Sequence, residues 1–440
     1  MVKTGSKNIS KFAEITVGYT TKEAIQEAKR CLNCKNSMCV QGCPIEHNIP
    51  GFINQLSMGN IGTAMQIIGE KSSLPAICGR VCPHEKQCEG HCILNKKEKP
   101  IRIGRLERFI ADFDSEMVLI RERLKPKDRG KVAVIGSGPA GLTVAGDLAK
   151  EGFNVVVFEG QNEPGGVLLY GIPEYRLPKE IVRREIRRIE SFGVTFINNC
   201  TVGEKVTIDT MLAHEFDAVF IGSGTAVPKN LDIPGTNLFR VVQSSYFLRM
   251  VSLFNSGSIN RNSIPLVSGE NVAVIGAGNV AMDTARTAIR LGAAKVTIIY
   301  YKGENDISAL QSEYHEAVEE GVQFMWYTNT LEFLGKRNKL ESIKIRDAEG
   351  EKIISMDRVF IAVGSKPANR IVSTCDGIEV DNTGYVITKT HPYGMTTRKG
   401  VFAGGDVVHR PQTVVLAMRE AKLVAKGITQ YVDAVKLLSS

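Results

Sequence analysis

The sequence predicts an α/β protein in which a helical, cysteine-rich domain precedes two Rossmann-like domains, the second inserted into the first. Three observations support this fold class. Eight of the ten cysteines fall between Cys31 and Cys92, in a region without strand-like apolar runs. From residue 131 onward, short apolar strands alternate with helical patterns, which is typical of a parallel sheet. The same strand–helix pattern then occurs a second time, about 140 residues further along the chain.

Composition excludes several other classes of protein. The 440 residues are 43% hydrophobic and 23% charged, which excludes disorder and a collagen-like chain. No apolar run is long enough for a membrane span, and residues 1–10 lack the apolar core of a secretory signal. The net charge is +8, and residues 1–110 carry +7 of it, but the cysteines of that segment would offset the charge as metal-bound thiolates and no aromatic-rich basic stripe accompanies it, which disfavours nucleic-acid binding. We therefore expect a cytoplasmic protein without nucleic-acid or membrane partners.

Residues 1–125 make up the predicted helical domain. Thr20 and Glu23 have the spacing of a capping box, which predicts a helix that runs into Cys31. The polar segment 121–130 contains Pro and Gly, and it predicts a linker to the first Rossmann-like domain.

The first Rossmann-like domain opens with the fingerprint Gly136-x-Gly138-x-x-Gly141, placed between a strand and a helix. In this motif the first glycine allows a tight turn, and the second lets the backbone approach a pyrophosphate at the helix N-terminus. Glu159 ends the following strand, where a carboxylate can hold ribose hydroxyls. Strand, glycines, helix and acid in this order predict a dinucleotide-binding site.

The second domain opens with Gly276-x-Gly278-x-x-Ala281, in which alanine replaces the third glycine. No acid ends its second strand, and Lys302 follows two tyrosines there. A cation at this position favours the 2′-phosphate of NADP, although Lys302 fits a plain surface lysine equally well. Both NADP(H) and NAD(H) therefore stay open. The residues that we assign to this site are Gly276, Gly278, Asn279, Val280, Lys302 and Gly364.

A late segment returns the chain to the first Rossmann-like domain. The glycine pair before an acid, Gly404-Gly405-Asp406, ends an apolar strand and places Asp406 beside a ligand, and a helical pattern begins at Thr413. Because this segment completes the first domain, the second domain is predicted to be inserted into it. We assign residues 126–250 and 380–440 to the first domain and residues 251–379 to the second.

The clustered cysteines form two groups, spaced as Cys31-x2-Cys34-x4-Cys39-x3-Cys43 and Cys78-x3-Cys82-x5-Cys88-x3-Cys92. Zinc sites usually contain two regular Cys-x2-Cys pairs. These irregular spacings and the Cys43-Pro44 step are typical of iron–sulfur sites instead. Two iron–sulfur clusters are therefore favoured over zinc and over disulfides. Cys200 and Cys375 lie outside both groups and are predicted to be core residues.

Seven motifs together resemble one family of proteins. They are RCLNC…GCP, GRVCP…CEGHC, IGRLERF, GSGPAGL, GGVLLYGIPEYRLPK, AMDTARTAIRLGA and GVFAGGD. The family contains the small chain of NADPH-dependent glutamate synthase, the large subunit of the electron-bifurcating NADH-dependent ferredoxin:NADP oxidoreductase and the amino-terminal half of dihydropyrimidine dehydrogenase. The resemblance covers nearly the whole chain, and GGVLLYGIPEYRLPK is most similar to the bifurcating large subunits.

The resemblance implies two 4Fe–4S clusters. The implied ligands are Cys31, Cys34, Cys39 and Cys92 for one cluster and Cys43, Cys82, Cys88 and Glu107 for the other. This assignment leaves Cys78 without a metal. Taken without the resemblance, Glu107 is predicted to be a solvated helix glutamate.

The resemblance also implies that the first dinucleotide is FAD. Its adenine side would be held by Gly138, Pro139, Ala140, Gly141 and Glu159. Its isoalloxazine end would be lined by Gly166, Val167 and Arg176 and closed by Gly405, Asp406 and Thr413. Alternatively, Val167 is a core residue and Arg176 forms a surface ion pair. The family's NADPH-binding members have arginines where this chain has Tyr301 and Ser308, which leaves the preference for NADP or NAD open.

These residues imply hydride transfer from the nicotinamide to the flavin, which needs stacking and orientation and no protein acid or base. We therefore assign no catalytic residue. Single electrons would then pass through the clusters to a partner subunit, and ferredoxin is one candidate partner. The leading hypothesis is an NAD(P)H-dependent FAD and iron–sulfur oxidoreductase subunit of the ferredoxin:NADP oxidoreductase or transhydrogenase type, with bifurcation left open. The alternative is the small chain of NADPH-dependent glutamate synthase. A chain of this size has no room for an amidotransferase domain, so the acceptor of the electrons would lie outside this sequence.

Three competing classes make different predictions. A disulfide reductase needs a Cys-x-x-Cys pair beside the flavin, and the sequence has none after Cys92. A zinc-containing nucleic-acid binder predicts a protein without flavin. An inactive structural relative predicts a folded protein whose absorbance does not bleach with NADPH or NADH.

Overall fold

The computed structural model describes residues 10–97, 99–120 and 122–439. Residues 1–9, on which the prediction of no secretory signal largely depends, and Arg121, the first residue of the predicted linker, lie outside these ranges. The described residues divide into two compact units. The main unit consists of Ile15–Leu168, Lys179–Ala226 and residues 366–439, and the inserted unit of residues 10–14, Leu169–Pro178 and Val227–Ser365. No helix in the described ranges is both long and apolar enough to cross a membrane.

The helices and strands of the described residues are numbered in chain order. The α-helices are α1 (Thr21–Lys29), α2 (Met38–Gln41), α3 (Ile49–Ser57), α4 (Ile61–Lys71), α5 (Pro75–Val81), α6 (Ile103–Met117), α7 (Pro139–Lys150), α8 (Val167–Tyr170), α9 (Lys179–Glu190), α10 (Ile208–His214), α11 (Ser244–Asn255), α12 (Asn279–Arg290), α13 (Gln311–Glu319), α14 (Arg370–Ser373), α15 (Asp406–His409) and α16 (Val414–Ser439). The strands are β1 (Gly130–Ile135), β2 (Phe153–Phe158), β3 (Thr195–Ile197), β4 (Ala218–Ile221), β5 (Val227–Pro228), β6 (Val241–Gln243), β7 (Asn271–Ile275), β8 (Lys295–Ile299), β9 (Gln323–Met325), β10 (Asn329–Lys336), β11 (Lys339–Asp347), β12 (Gly350–Ser355), β13 (Arg358–Ile361), β14 (Ser365–Lys366), β15 (Thr388–Thr390), β16 (Tyr393–Thr396) and β17 (Val401–Ala403). Short 3₁₀ turns cover Ser10–Phe12, His84–Lys86, Ile93–Lys96, Arg261–Ser263 and Glu304–Asp306.

The helical region of the main unit has no strand between α1 and α6 among its described residues, as the sequence predicts. Thr20 Oγ1 accepts a hydrogen bond from Glu23 N at 3.3 Å, and a Glu23 carboxylate oxygen accepts one from Thr20 N at 2.8 Å. The predicted capping box is therefore confirmed, and α1 begins at Thr21, the residue after the N-cap Thr20. These helices pack around the fully buried Phe52 and Leu56 on α3.

The main unit also contains a seven-stranded sheet in the order β15-β16-β17-β4-β1-β2-β3. β1 pairs in parallel with β2 on one side and with β4 on the other. The strands β2 and β3 therefore follow on one side of β1, and β4 lies on its other side. In sheets of this kind ligands bind in the crevice at the carboxyl ends of the two strands where the order changes, here β1 and β4. The predicted first strand, glycine turn and helix correspond to β1 and α7, which confirms this part of the fold.

The inserted unit contains a second parallel sheet, in the order β6-β13-β7-β8-β9. The second predicted strand, glycine turn and helix correspond to β7 and α12 and are likewise confirmed. An antiparallel sheet of β10, β11 and β12 was not predicted. Its buried face includes Phe333, Leu340 and Ile343, which pack with the buried side chains of β7 and β13.

The boundaries of the two units differ from the predicted domain boundaries. Val241 of β6 pairs with β13, so the segment from residue 227 to residue 250 lies in the inserted unit. Ile378 packs in the core of the main unit with Val401, so residues 366–379 lie there. The cysteine-rich helices lie in the same compact unit as the first Rossmann-like sheet. Ser73, which lies between α4 and α5, donates a hydrogen bond to Asp147 of α7 at 3.1 Å.

Candidate active site

The first glycine fingerprint forms the turn between β1 and α7. Gly136 has a φ of 92°, and a Cβ at this position would lie 2.7 Å from the carbonyl oxygen of Gly222. Pro139 is the first residue of α7, and Ala140 behind it is buried. Apart from Gly138 and its two neighbours in the chain, no described atom lies within 4 Å of the position that a Cβ on Gly138 would take. The backbone is therefore open on the side where this fingerprint receives a pyrophosphate.

Glu159 is buried just after β2, and both of its carboxylate oxygens are bonded to the glycine turn and the chain that follows. One oxygen accepts hydrogen bonds from Ser137 N at 3.0 Å and from Ser137 Oγ, and the other accepts one from Gln161 N at 2.8 Å. Ser137 Oγ also accepts a hydrogen bond from Gly165 N at 2.9 Å. Sequence analysis did not single out Ser137, because the fingerprint allows any residue there. The structure gives Glu159 a role in holding the turn, and ribose binding stays a prediction.

The turn before α8 lies directly against this fingerprint. A Cβ on Gly166 would lie 2.8 Å from the Cα atom of Gly138. Val167 is 51% exposed, so the alternative that it is a core residue is wrong. An apolar side chain exposed beside the dinucleotide turn fits the predicted contact with the isoalloxazine ring.

The late glycine pair packs against the start of α7. Gly405 has a φ of 74°, and a Cβ there would lie 2.8 Å from Ala140 Cβ. Asp406 follows, and burial raises its pKa to about 6. Thr413 immediately precedes α16, and its buried Oγ1 has no hydrogen-bond partner among the described residues. An unpaired buried hydroxyl destabilises a protein, so a ligand that bonds to Thr413 fits this site.

Arg176 lies in the inserted unit, whereas the other residues assigned to FAD lie in the main unit. Its guanidinium donates to both carboxylate oxygens of Asp283, at 3.0 and 2.8 Å, and its Nε lies 2.7 Å from a carboxylate oxygen of Glu313. The side chain of Arg176 is only 11% exposed, so this ion pair is internal to the unit and not a surface pair. A contact between Arg176 and the flavin stays a prediction.

The second fingerprint forms the turn between β7 and α12. Asn279 is the first residue of α12, and its amide oxygen accepts a hydrogen bond from Leu310 N at 2.9 Å. Val280 is 47% exposed. Gly364 follows β13, which pairs in parallel with β7, so it lies at the same edge of the sheet. The residues assigned to the nicotinamide dinucleotide in these segments therefore lie together at the carboxyl ends of the parallel strands.

Lys302 lies three residues after the end of β8, where a 2′-phosphate contact is expected. Its side chain is exposed, and its Nζ lies 5.5 Å from the ring centroid of Tyr301. Tyr301 is itself 58% exposed. Because the cation sits on an aromatic ring at the protein surface, it stays accessible to an anionic ligand.

The first predicted set of cluster ligands lines a single pocket. Cys31, Cys34, Cys39 and Cys92 all contribute to its wall, and most of the remaining wall is apolar. Burial, assisted by the neighbouring thiols, raises the pKa of Cys39 to about 11. A thiol with this pKa stays protonated at neutral pH unless a metal displaces the proton. Four thiols around one apolar pocket fit an iron–sulfur cluster.

The second predicted set lies where α5 meets α6. Gly79 brings the two helices together, because a Cβ there would lie 2.6 Å from Arg108 N. Burial raises the pKa of the Cys43 thiol to about 11, and the nearby Glu107 carboxyl adds to this increase. Burial and Glu107 likewise raise the pKa of Cys88. These side chains are therefore close enough to interact electrostatically.

Glu107 is buried on α6, and among the described residues no Lys or Arg forms an ion pair with it. Its Oε1 has no hydrogen-bond partner among the described residues, and burial raises its pKa to about 8. His47 Nδ1 lies 3.9 Å away, but burial lowers the pKa of His47 to about 4, which keeps the ring neutral. The prediction of a solvated glutamate is therefore wrong. A buried carboxylate without a partner fits a ligand of the second cluster.

Two further observations concern the cysteines. Within the described ranges, no group of three or more His, Cys, Asp or Glu residues has the arrangement of a site for a single metal ion. Cys78 is buried on α5, and its thiol contacts Met418 of α16. Outside the array, Cys375 is buried as predicted and Cys200 is half-buried.

The sequence matches two family descriptions that together cover most of the chain. Residues 8–119 match dihydropyrimidine dehydrogenase domain II, 4Fe-4S cluster, and residues 130–421 match pyridine nucleotide-disulphide oxidoreductase. Solved structures with the same fold include FprA of Mycobacterium tuberculosis, with a TM-score of 0.60 and 18% identity over 72% of this chain and 86% of that one. Thioredoxin reductase of Lactococcus lactis gives a TM-score of 0.55 and 23% identity over 69% and 99% of the two chains. These likenesses confirm the predicted fold class.

The chain is an NAD(P)H-dependent flavin and iron–sulfur oxidoreductase. It is 35% identical to the glutamate synthase [NADPH] small chain of Halomonas elongata over 96% of this chain and 93% of the relative. It is 33% identical to the NAD-dependent dihydropyrimidine dehydrogenase subunit PreT of Escherichia coli over 96% of this chain and 97% of the relative. The chain therefore belongs to the family of the glutamate synthase small chain and PreT, as the sequence motifs indicated.

Proposed function

We propose that the chain is the NAD(P)H-oxidising subunit of a larger cytoplasmic complex and that it passes electrons to a partner through two 4Fe–4S clusters. When bound, the flavin would take up a hydride from the nicotinamide, and the clusters would divide the electron pair into single electrons. The buried and unpaired carboxylate of Glu107 carries the proposal of a second cluster. The four-cysteine pocket supports the first cluster.

The chain's own residues would bind and orient the two dinucleotides. The open backbone at Gly138 and the N-terminus of α7 would hold the FAD pyrophosphate. Val167 and the hydroxyl of Thr413 would contact the flavin ring system. Lys302 would bind the 2′-phosphate of NADPH. Because NADH has no such phosphate, this contact would give a preference for NADPH. No residue is proposed as a general acid or base, because hydride transfer requires only alignment.

Two kinds of complex fit this site. The motif GGVLLYGIPEYRLPK supports a ferredoxin:NADP oxidoreductase or transhydrogenase, in which the flavin would bifurcate electrons and ferredoxin would be one partner. The near full-length match to glutamate synthase small chains supports the second candidate, the small chain of that enzyme.

Anaerobic purification from the native cells, with mass spectrometry of the chains that co-purify, tests both candidates. A very large partner with an amidotransferase sequence would identify a glutamate synthase. A small flavoprotein resembling ferredoxin reductase, or a set of flavin and iron–sulfur subunits, would identify a transhydrogenase. A monomer whose flavin and cluster absorbance does not bleach with either NADPH or NADH would contradict the proposed function.

A further inference from the structure

The pocket of the first cysteine set is surrounded by exposed apolar side chains. Leu32, Met38 and Ile93 line this pocket, and they are 61%, 45% and 49% exposed. An apolar side chain on a protein surface loses the stabilisation that burial would give it. Three such side chains around one pocket form a contiguous apolar patch, which is a feature of interaction sites.

The segments that line this pocket are strongly basic. Over residues 29–39 and 91–105 the sequence has eight Lys and Arg residues and one acidic residue, Glu98. Two of the eight, Arg30 and Arg102, form ion pairs with Glu27 and Glu89 outside these ranges. Lys35 lies in the loop between two of the lining cysteines, and its side chain is exposed. Lys96 and Lys97 follow the lining residue Ile93 closely, and both are exposed.

One hydrogen bond fixes part of this basic rim close to the cysteines. The guanidinium of Arg30, the residue before Cys31, donates to the carbonyl oxygen of Lys99 at 2.7 Å. The backbone of Lys99 is thereby held beside the start of the pocket wall, and its side chain is exposed. An apolar centre with a rim of one charge is the usual composition of a transient docking site.

We propose that this surface docks an acidic redox protein that exchanges single electrons with the first cluster. We call it the basic docking face, and it consists of Leu32, Met38 and Ile93 at the centre and Lys35, Lys96, Lys97 and Lys99 at the rim. The inference rests on the proposed function, because it requires electrons to reach the first cluster. It adds the place on the surface where electrons leave the first cluster and the sign of the partner's charge. One NAD(P)H, in losing two electrons and a proton to become NAD(P)⁺, reduces two molecules of a one-electron acceptor.

The charge of the rim determines which partner fits. Opposite charges raise the rate of encounter by about 10- to 1,000-fold and make the rate dependent on salt. A second copy of this chain, which carries a net charge of +8, would be repelled by the rim. The basic docking face therefore selects an acidic partner over a basic one.

The test compares two haem proteins of opposite charge, acidic cytochrome b5 and basic cytochrome c, with the anaerobically purified holoenzyme. Binding of oxidised cytochrome b5 is measured by surface plasmon resonance at low and high salt, without NAD(P)H. The test variant is Lys96→Glu/Lys97→Glu/Lys99→Glu. The control, Lys336→Glu/Lys389→Glu/Lys399→Glu, reverses the same number of exposed charges elsewhere.

We expect the wild type to bind cytochrome b5 more weakly as salt rises. The test variant should raise the Kd and lower kcat/KM for cytochrome b5 at least about tenfold, and it should reduce cytochrome c faster than the wild type does. The control should stay within about twofold of the wild type. Reduction of ferricyanide by NAD(P)H, which requires no docking, should be the same in all three proteins.

Equal binding of cytochrome b5 by the test variant and the control would overturn the proposal. So would a holoenzyme dimer in sedimentation that the test variant dissociates, since the face would then belong to a second copy. Failure of the proposed function has a different signature. In that case NADPH and NADH would bleach neither the flavin nor the clusters, whatever the salt dependence of cytochrome b5 binding.

Discussion

The thiol of Cys78 donates a hydrogen bond to the thioether sulfur of Met418, at a distance of 3.5 Å between the two sulfur atoms. The Cys78 sulfur lies against the thioether of Met418 as well as within hydrogen-bond distance of Cys82. A cluster ligand must be a thiolate, and a thioether sulfur is a poor neighbour for a thiolate because it has no proton to donate. This agrees with the ligand assignment that leaves Cys78 without a metal.

Replacement of Cys78 tests this division of the cysteines. Cys78→Ala should leave the iron and sulfide content per chain unchanged and should lower stability by only about 1–2 kcal/mol, because it removes a small buried side chain. Cys82→Ser, one turn further along at the residue that follows α5, is the matched control, and it should lose one cluster. Iron analysis and the visible spectrum of the anaerobic proteins measure both. Loss of iron in Cys78→Ala would make Cys78 a ligand.

The ion pairs of Arg176 lead to a prediction about stability. Arg176→Met would leave Asp283 and Glu313 buried without this cation, so the free energy of unfolding should fall by about 3–5 kcal/mol. Arg187→Met removes one side of an exposed pair with Glu180 and should cost less than about 1 kcal/mol. Chemical unfolding followed by circular dichroism measures the difference. Equal stability of the two variants would show that the buried pair contributes nothing.

Arg176 also shows where prediction from the sequence stops. The strands and helices next to the two glycine turns, the turns themselves and the capping box follow from patterns within about ten residues, and the structure confirms them. The partner of Arg176 is Asp283, 107 residues further along the chain, and the partner of Cys78 is Met418, 340 residues away. No local pattern encodes such pairs, because they depend on how the finished elements pack.

The limits of the inserted unit illustrate the same point. The longest segment of this unit runs from Val227 to Ser365, whereas the sequence patterns predicted limits at residues 251 and 379. The antiparallel sheet from Asn329 to Ser355 also went unpredicted. Buried and exposed residues partly alternate in β11, but neither glycine fingerprint lies in this segment to mark it as part of a sheet.

Lys302 provides a test of nicotinamide preference. Lys302→Ala removes the cation expected at the 2′-phosphate, so the KM for NADPH should rise about tenfold while the KM for NADH stays unchanged. Lys295→Ala removes an exposed lysine at the opposite end of the same strand and should change neither KM. Steady-state reduction of ferricyanide measures the four values. An equal rise for both nucleotides would indicate a general role for Lys302 and no selection for phosphate.

The unpartnered hydroxyl of Thr413 predicts separate effects on stability and on FAD binding. Thr413→Val keeps the side-chain shape and removes the buried hydroxyl, so the flavin-free protein should be as stable as the wild type or slightly more stable. The Kd for FAD should rise about 5- to 30-fold if the hydroxyl bonds to the flavin. In the control Thr429→Val, the lost bond is to the Ala425 carbonyl within α16, and FAD binding should not change. Fluorescence titration with FAD measures both variants, and equal Kd values would remove Thr413 from the site.

Asp406 predicts how stability depends on pH in the flavin-free protein. Burial raises its pKa to about 6, above the value of 3.8 expected in the unfolded chain. The folded state therefore favours the protonated carboxyl, and the cost of ionising it grows from about pH 4 and is complete above about pH 6. Asp406→Asn mimics the neutral form, so its gain in stability over the wild type should be small near pH 4.5 and should reach about 2 kcal/mol at pH 8.

The control for Asp406 is Asp433, whose replacement should change stability with pH in the opposite direction. Arg129 lowers the pKa of Asp433 through a hydrogen-bonded surface ion pair, so Asp433→Asn should lose stability at high pH and little at low pH. Thermal unfolding of both flavin-free variants between pH 4.5 and 8 measures the two trends. Parallel trends for the two variants would contradict the dominance of burial over the hydrogen bond from Gln412 N in setting the pKa of Asp406. If Asp406→Asn also binds FAD more weakly at pH 8, the ionised carboxylate is the form that the flavin site uses, and its destabilisation in the free protein is offset when the flavin binds.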